Sequence, residues 1–187
     1  MPVDFLFAPE GYVGAAGEFD TDLGAERELE DYDPASTSRL RAKRSAARKK
    51  AKWVKNDSGA TLTRGMCVKY KAAYFGLRVG DHADVGDICD GVVDDMVSSA
   101  GVLDGDNFWL ILEGPNLLIS DGATTLAVTD VVCTAGTGNG RVAKQTAAPA
   151  DTTAAMVQVK SVVGRPTAAV TNVAGTEFLG YIKRPNY

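Results

Sequence analysis

The fold is decided by the stretch Asn56-Asp57-Ser58-Gly59-Ala60-Thr61-Leu62-Thr63-Arg64-Gly65-Met66-Cys67-Val68-Lys69-Tyr70. Asn, Asp, Ser and Gly together at 56–59 are typical of a tight turn, and Arg64-Gly65 indicates a second one. The short runs after these turns, 60–63 and 66–70, have the composition and length of β-strands. The stretch therefore predicts short strands joined by tight turns.

The rest of the chain continues this pattern. Further strands are expected at 73–79, 88–93, 108–112, 117–120, 125–133, 156–163 and 178–183. Breaks rich in glycine and aspartate separate them, among them Asp104-Gly105-Asp106 and Glu113-Gly114-Pro115. Many short strands without an amphipathic helix of convincing length predict a mainly β protein, either an antiparallel β-sandwich or a small β-barrel.

Charge is sorted along the first 55 residues. Residues 1–33 hold ten acids and one base, whereas residues 34–55 hold nine bases and no acid. The second segment is rich in Ala, Arg and Lys, and its bases recur at three- and four-residue steps, which favours a short basic helix over 36–55. A short acidic helix fits 25–29. We therefore expect a long extended N-terminal arm, 1–55, acidic over 1–33 and basic over 34–55, before a β-rich domain at 56–187.

This arm is expected to bind a partner, because aromatic anchors and clustered charges are typical of binding surfaces. The expected partner-binding residues are Phe5, Phe7, Tyr12, Phe19, Arg39, Arg41, Lys43, Arg44, Arg48, Lys49, Lys50, Lys52 and Trp53. The aromatic side chains could instead pack back onto the chain's own domain. The bases could pair with acids at 18–33 of a neighbouring copy, neutralise phosphates of a nucleic acid, or lie in a solvated linker. The net acidic body favours protein contact over nucleic acid.

No constellation for catalysis is recognised. His82 is the single histidine, and no G-x-S-x-G motif is present. Glycines at 136, 138 and 140 are spaced for a flexible hairpin loop rather than a phosphate-binding loop. We therefore expect no enzyme, no catalytic residue and no cofactor.

The acids between Asp81 and Asp95 and the three cysteines are the remaining candidates for chemistry. The acids are interpreted as solvated turn and strand-edge residues; a divalent ion at a subunit contact or an acid and base pair is the alternative. Cys67, Cys89 and Cys133 are odd in number and widely spaced, which favours small core residues over disulfides or a zinc site. No metal site is expected.

Two further patterns concern the compartment. No run of apolar residues reaches the length of a membrane span, and the N-terminus lacks the pattern of a secretory leader. We expect a soluble protein, without a membrane partner, made in a reducing cytoplasm.

The run from Lys55 to Val68, followed by Gly91-Val92-Val93, by Trp109 and by Glu113-Gly114-Pro115, resembles the small β-rich capsid decoration, or cement, proteins of tailed bacteriophages. The resemblance covers residues 55–183. It implies a virion protein on the outer surface of an icosahedral capsid that clamps adjacent major capsid subunits, often as a homotrimer. The alternative is a nucleic-acid-associated structural protein whose bases at 39–55 contact packaged DNA.

Overall fold

The structure is a computed structural model that describes residues 10–36, 42–84, 87–134, 140–145 and 162–183. Its strands are β1 (Val13–Gly14), β2 (Glu26–Tyr32), β3 (Lys43–Asn56), β4 (Cys67–Tyr70), β5 (Arg78–His82), β6 (Gly91–Val93), β7 (Asn107–Ile119), β8 (Val132–Thr134), β9 (Val142–Lys144), β10 (Val162–Pro166) and β11 (Glu177–Lys183). Two 3₁₀ turns lie at Asp20–Asp22 and Ala72–Tyr74. The prediction of a mainly β protein is confirmed. Among the described residues, no helix is long and apolar enough to cross a membrane.

All eleven strands belong to one large sheet. Its order is β2-β3-β5-β4-β6-β7-β11-β10-β8-β9, with β1 paired to β7. The strand pairs are antiparallel except β3 and β5, which are parallel. The sheet as a whole is not a closed barrel, because β2 pairs with β3 alone and leaves an end of the sheet open. The sheet is therefore not the single small barrel that was predicted, and the strands do not divide into the two separate sheets of a sandwich.

Two halves of the chain repeat the same pairing. In the first repeat (43–119) the order β3, β5, β4, β6, β7 returns to its start, since β7 also pairs with β3. In the second repeat (107–183) the order β7, β9, β8, β10, β11 does the same. The parallel step is also shared, because Asn56 pairs with Val79 as Ser120 pairs with Val142. The repeats are fused through β7, which is the last strand of one and the first strand of the other.

The interiors of the two repeats are equivalent residue by residue. The register matches the following buried pairs: Val54 and Leu118, Leu62 and Leu126, Val68 and Val132, Val79 and Val142, Val102 and Val170, Phe108 and Phe178, and Leu112 and Ile182. Seven buried apolar side chains of the first repeat thus have a counterpart of the same or nearly the same size in the second repeat. The matched residues of the first repeat belong to one buried cluster, and those of the second repeat belong to another.

The equivalence extends to the loops. Leu62 and Val102 exchange two backbone hydrogen bonds, as do Leu126 and Val170. The amide of Gly105 donates to the Asn56 carbonyl at 2.8 Å, and the amide of Gly175 donates to the Ser120 carbonyl at 2.9 Å. Both glycines have positive φ, 91° and 79°, a conformation that a side chain would strain.

The segment expected to be an extended arm with a basic helix is part of this sheet. β3 covers Lys43–Asn56, where the helix over 36–55 was predicted, and β2 covers Glu26–Tyr32, where an acidic helix was predicted. β3 runs without a break through the expected boundary at residues 55 and 56, and Trp53 is fully buried. The helix and arm predictions are wrong for the described residues because pairing with β2 and β7 outweighs local helix propensity.

The break predicted at Glu113-Gly114-Pro115 is also wrong, since β7 is one strand from Asn107 to Ile119. Gly114 has φ of 108°, and a Cβ there would lie 2.5 Å from the Arg48 carbonyl oxygen. The glycine that signalled a turn instead lets β3 approach β7 at a register shift.

The equivalence of the two cores predicts similar costs for Leu62→Ala and Leu126→Ala. Each should lower the free energy of unfolding by about 2–5 kcal/mol, because each leaves a cavity in a closed interior. Leu103→Ala is the control, since that side chain is 56% exposed. Urea unfolding followed by circular dichroism measures the three variants, and a cost at only one of the two buried leucines would contradict the repeat.

Candidate functional site

The outer face of the hairpin formed by β2 and β3, the charged hairpin, carries acids on one strand and bases on the other. Glu26 contacts Lys50 Nζ at 3.0 Å and Lys52 Nζ at 3.1 Å. Arg48 contacts Glu28 at 2.9 Å, and Lys43 contacts Glu30 at 2.7 Å. The acidic and basic segments therefore pair within one chain.

These contacts keep the acids ionised. Hydrogen bonds from Lys50 and Lys52 hold the pKa of Glu26 below its ordinary value, and the bond from Lys43 does the same for Glu30. Because the folded pKa values are lowered, the stabilisation is present at neutral pH and is lost as the pH falls through them. Each exposed pair contributes little, but the row removes the repulsion among the bases of β3.

The inner face of the charged hairpin contains a buried charge cluster of Asp31, Arg44, Lys49, Asp94 and Asp95. Lys49 Nζ lies 3.2 Å from Asp94 Oδ1 and also donates to Asp95 Oδ1. Arg44 Nη2 donates to Asp31 Oδ1 at 2.5 Å and to Asp95 Oδ2 at 2.8 Å. The cluster joins the hairpin to the segment after β6.

Backbone and amide groups satisfy the remaining oxygen atoms of the cluster. The amide of Gly11 donates to Asp94 Oδ2 at 2.7 Å, and the amide of Leu117 donates to Asp95 Oδ2 at 3.3 Å. Asn116 Oδ1 accepts from the amide of Asp95 at 3.0 Å. Gly11, the bases of β3 and Leu117 of β7 thus bring three separate parts of the chain to the two adjacent carboxylates.

The cluster has three acids and two bases, so one negative charge is in excess. Burial raises the pKa of Asp94, and Lys49 offsets this only in part while Asp95 adds to it. Burial lowers the pKa of Lys49, but Asp94 and Asp95 outweigh it, so that pKa is raised overall. Lys49 therefore stays charged, and Asp94 takes up a proton more readily than a solvent-exposed aspartate does.

Tyr12, Phe19 and Trp53 form an aromatic group with Trp109 inside the molecule. The Tyr12 ring stacks on Trp53 at 6.2 Å between centroids, and Trp53 meets Trp109 edge to face at 5.0 Å. Tyr12 Oη donates to Glu18 Oε1 at 2.7 Å, and this bond with burial raises the pKa of Tyr12 to about 12. Tyr12 and Phe19 thus pack back onto the chain's own domain, which was the alternative for the aromatic residues.

Nine of the thirteen expected binding residues lie in the described part of the chain, and all nine contact other residues of the same chain. Lys43, Arg44, Arg48, Lys49, Lys50 and Lys52 each have a carboxylate partner of the same chain, as does the neighbouring Lys55 with Asp20. Phe5, Phe7, Arg39 and Arg41 lie outside the described residues. The described bases are therefore engaged within the chain, and contact with phosphates would have to displace their carboxylate partners.

The acids between Asp81 and Asp95 were expected to be solvated, but only some of them are. Asp81 and Asp84 lie at the surface on either side of His82, at 2.8 and 3.4 Å from its two ring nitrogens. Asp90, Asp94 and Asp95 are buried, and Asp90 accepts from the amide of Tyr70 at 2.7 Å. In the part of the chain that the structure describes, no three acids, histidines or cysteines are grouped so as to hold a metal ion.

The cysteines are brought closer than their spacing indicated. Cys67 and Cys89 are buried and Cys133 is half-buried, and none of the three forms a disulfide. A hydrogen bond with Cys89, together with burial, raises the pKa of Cys67 well above its ordinary value. A thiol held protonated in this way is a poor nucleophile, so Cys67 and Cys89 are core residues, as predicted.

Two kinds of exposed surface were missed from the sequence. Leu103 and Val173, at equivalent positions of the repeats, are 56% and 57% exposed. Arg165, Tyr181 and Lys183 line a cleft of about 420 Å³ together with Val131 and Gly164. The available signal was the offset of 64 residues that relates Leu62 to Leu126 and Val68 to Val132, since it would have aligned the start of the two repeats.

No family model matches the chain, and no curated protein matches it. Among solved structures the chain is similar to the N base of the head fiber gp8.5 of bacteriophage phi29. The sequence identity is 14%, the TM-score is 0.44, and the alignment covers 73% of this chain and 98% of that chain.

Neutralising the two central carboxylates should have unequal effects. Asp95→Asn should lower the free energy of unfolding by about 3–5 kcal/mol, because it weakens the pairing of two cations in a buried site. Asp94→Asn should cost less than about 2 kcal/mol, because it removes the excess negative charge while losing a hydrogen bond.

The pH dependence of stability tests the raised pKa of Asp94. The pKa of Asp94 is higher in the folded than in the unfolded state, so its ionisation reduces stability as the pH rises through the folded pKa. The stability of Asp94→Asn relative to the unsubstituted protein should therefore increase from about pH 4 to about pH 8. Urea unfolding at a series of pH values measures this, and a constant difference would rule out the raised pKa.

Freeing the outer bases should raise the affinity of the protein for nucleic acid. The triple variant Glu26→Gln, Glu28→Gln, Glu30→Gln leaves Lys43, Arg48, Lys50 and Lys52 without their partners. It should bind duplex DNA at least about tenfold more tightly than the unsubstituted protein, with a steeper dependence on salt.

The control removes the same charge elsewhere, through Asp84→Asn, Asp106→Asn and Asp121→Asn. Fluorescence anisotropy with labelled DNA at two salt concentrations compares the three proteins. Equal DNA affinity of the unsubstituted protein and the Glu→Gln variant would mean that the ion pairs do not mask the bases.

Proposed function

We propose that this protein is a structural virion protein of a tailed bacteriophage, attached to the outer surface of the head, where it clamps adjacent major capsid subunits. The resemblance to capsid decoration proteins supports this proposal, and the motifs that carry it form part of the described sheet. Asn56 ends β3, Gly91-Val92-Val93 is β6, and Trp109 and Gly114 lie in β7.

The observation that carries the proposal is the placement of equivalent loops at opposite ends of β7. The loop with Leu103 adjoins the start of β7, and the loop with Val173 adjoins its end, as the bonds of Asn56 and Ser120 to these loops require. β7 has 13 residues, so the two loops are separated by about 40 Å along the strand. A rigid block with equivalent apolar contacts at both ends is suited to join two copies of one partner.

The proposed activity is binding alone and involves no catalysis. A protein that binds the expanded shell and not its disassembled subunits stabilises the shell by mass action. Two weak contacts on one block strengthen each other, because the second contact is made at high effective concentration. Assembly into a homotrimer would multiply these contacts further, and it belongs to the same proposal.

The proposal predicts that both end loops contribute to head binding. Leu103→Asp and Val173→Asp should each weaken binding to expanded, empty phage heads by about tenfold or more, because a carboxylate cannot enter an apolar contact without loss. Val128→Asp is the matched control, since Val128 is 52% exposed but lies on a different turn. Cosedimentation with heads measures the four proteins.

Electron micrographs of heads with and without the protein show whether it lies on the outer surface. Binding to duplex DNA without binding to heads would overturn the virion proposal. Head binding that survives both aspartate substitutions would overturn the role of the end loops.

A further inference from the structure

The two repeats have equivalent outer faces, but the side chains on these faces differ. In the first repeat, Trp53 lies directly opposite Trp109, and Ile111 lies opposite Val92. In the second repeat the matching positions hold Leu117 opposite Leu179, and Tyr181 opposite Arg165. The register thus relates an entirely apolar face to one that mixes apolar and basic side chains.

The chain's own N-terminal segment covers the Trp53 end of the face of the first repeat. Tyr12 stacks on Trp53, Phe19 and Leu23 pack against the same cluster, and all four residues of the face are at most 1% exposed. The covering segment, 10–32, holds eight acids and one base. An acidic chain with aromatic and aliphatic anchors is therefore the ligand that this kind of face already accepts.

The face of the second repeat, defined by Leu117, Arg165, Leu179, Tyr181 and Lys183, is open. Leu117 and Leu179 are half-buried, Tyr181 is 43% exposed, and Arg165 and Lys183 are exposed. Tyr181 and Lys183 share a side of β11, and Arg165 is the partner of Tyr181 on β10, so the three side chains border one cleft.

The charge of this face is not balanced as it is on the charged hairpin. Within the described ranges, neither Arg165 nor Lys183 forms an ion pair, in contrast to the bases of β3. Glu113 is the residue opposite Lys183 across β7 and β11, and it is also opposite Lys50. Glu177, on the same side of β11, pairs with Arg64, so Glu113 alone faces the two bases Arg165 and Lys183 and the face keeps a positive excess.

We propose that the face of the second repeat is a docking site for an acidic, extended segment of a partner protein. Its carboxylates would pair with Arg165 and Lys183, and an apolar side chain between them would rest on Leu117 and Leu179. A guanidinium binds a carboxylate through two parallel hydrogen bonds, so Arg165 would orient the bound segment more strongly than Lys183. This inference concerns the isolated chain and does not depend on attachment to a phage head.

The probe is a synthetic peptide with the sequence of residues 10–32, acetylated, amidated and labelled with fluorescein. It is chosen because this segment covers the Trp53 end of the equivalent face of the first repeat, which remains occupied by the chain itself. Fluorescence anisotropy at low salt should show saturable binding. A peptide with lysine in place of each acid should not bind.

The test variant is Arg165→Glu with Lys183→Glu, and the matched control is Arg141→Glu, a base of the second repeat near Gly175 rather than on this face. The double variant should weaken peptide binding by about tenfold or more, and the control should leave it unchanged. Since the residues are exposed, circular dichroism and thermal unfolding should match the unsubstituted protein. The milder double variant Arg165→Ala, Lys183→Ala repeats the test if the charge reversal perturbs folding.

Three results would overturn the proposal. One is peptide binding that fails to approach saturation at about 1 mM protein, an affinity too weak for a specific site. Another is equal binding by the Arg165 and Lys183 variants. The third is binding of duplex DNA through these two residues in preference to the peptide, which would assign the face to phosphates. Head binding measured separately keeps these results distinct from the virion proposal.

Discussion

The buried pairing of Lys49 and Arg44 with Asp94 and Asp95 is the interaction on which the rest of the structure depends. β3 contains seven bases in fourteen residues, and a strand of this composition repels itself unless acids face it on both sides. β2 supplies acids to the outer face, and the residues after β6 supply acids to the inner face. Because desolvated charges are costly without partners, these pairs specify one register of β3 rather than merely tolerating it. That register places Trp53 beside Trp109 and Val54 in the first core.

Once β3 is in place, the architecture follows from repetition. β7 serves as the last strand of one repeat and the first strand of the other, so a single strand is packed against apolar side chains on both faces. Alternate residues of β7 accordingly belong to different buried clusters, with Phe108 and Leu110 in one and Trp109 and Ile111 in the other. A strand buried on both faces must be apolar at nearly every position. This explains why 107–112 lacks the clean alternation of the outer strands.

The sequence predicted the strands better than it predicted their arrangement. Short strands at 108–112 and 178–183 were recognisable because composition and flanking glycines act locally. The basic segment was misread because its alanines and bases at three- and four-residue steps favour a helix, and the acids that hold it as a strand are contributed by β2 and by residues 45 positions away. The sorted charge was a true signal, but it reported pairing within the chain. Burial of Asp94 and Asp95 could not be read locally for the same reason, since it depends on Lys49 and Gly11.

The same physical constraint bears on where this protein can bind. Charge that is paired within the fold is unavailable to a partner unless those pairs break, so binding falls to the surfaces that the fold leaves unmatched. The surfaces that we propose for binding, the loops with Leu103 and Val173 and the basic face of the second repeat, are of this unmatched kind. The repetition of the fold explains both surfaces. It gives equivalent loops at opposite ends of β7, and it gives two outer faces, whereas the N-terminal segment packs on only one of them. Two equivalent loops at opposite ends of β7 would make the proposed binding bivalent, and the outer faces of the two repeats differ where the N-terminal segment packs on Trp53.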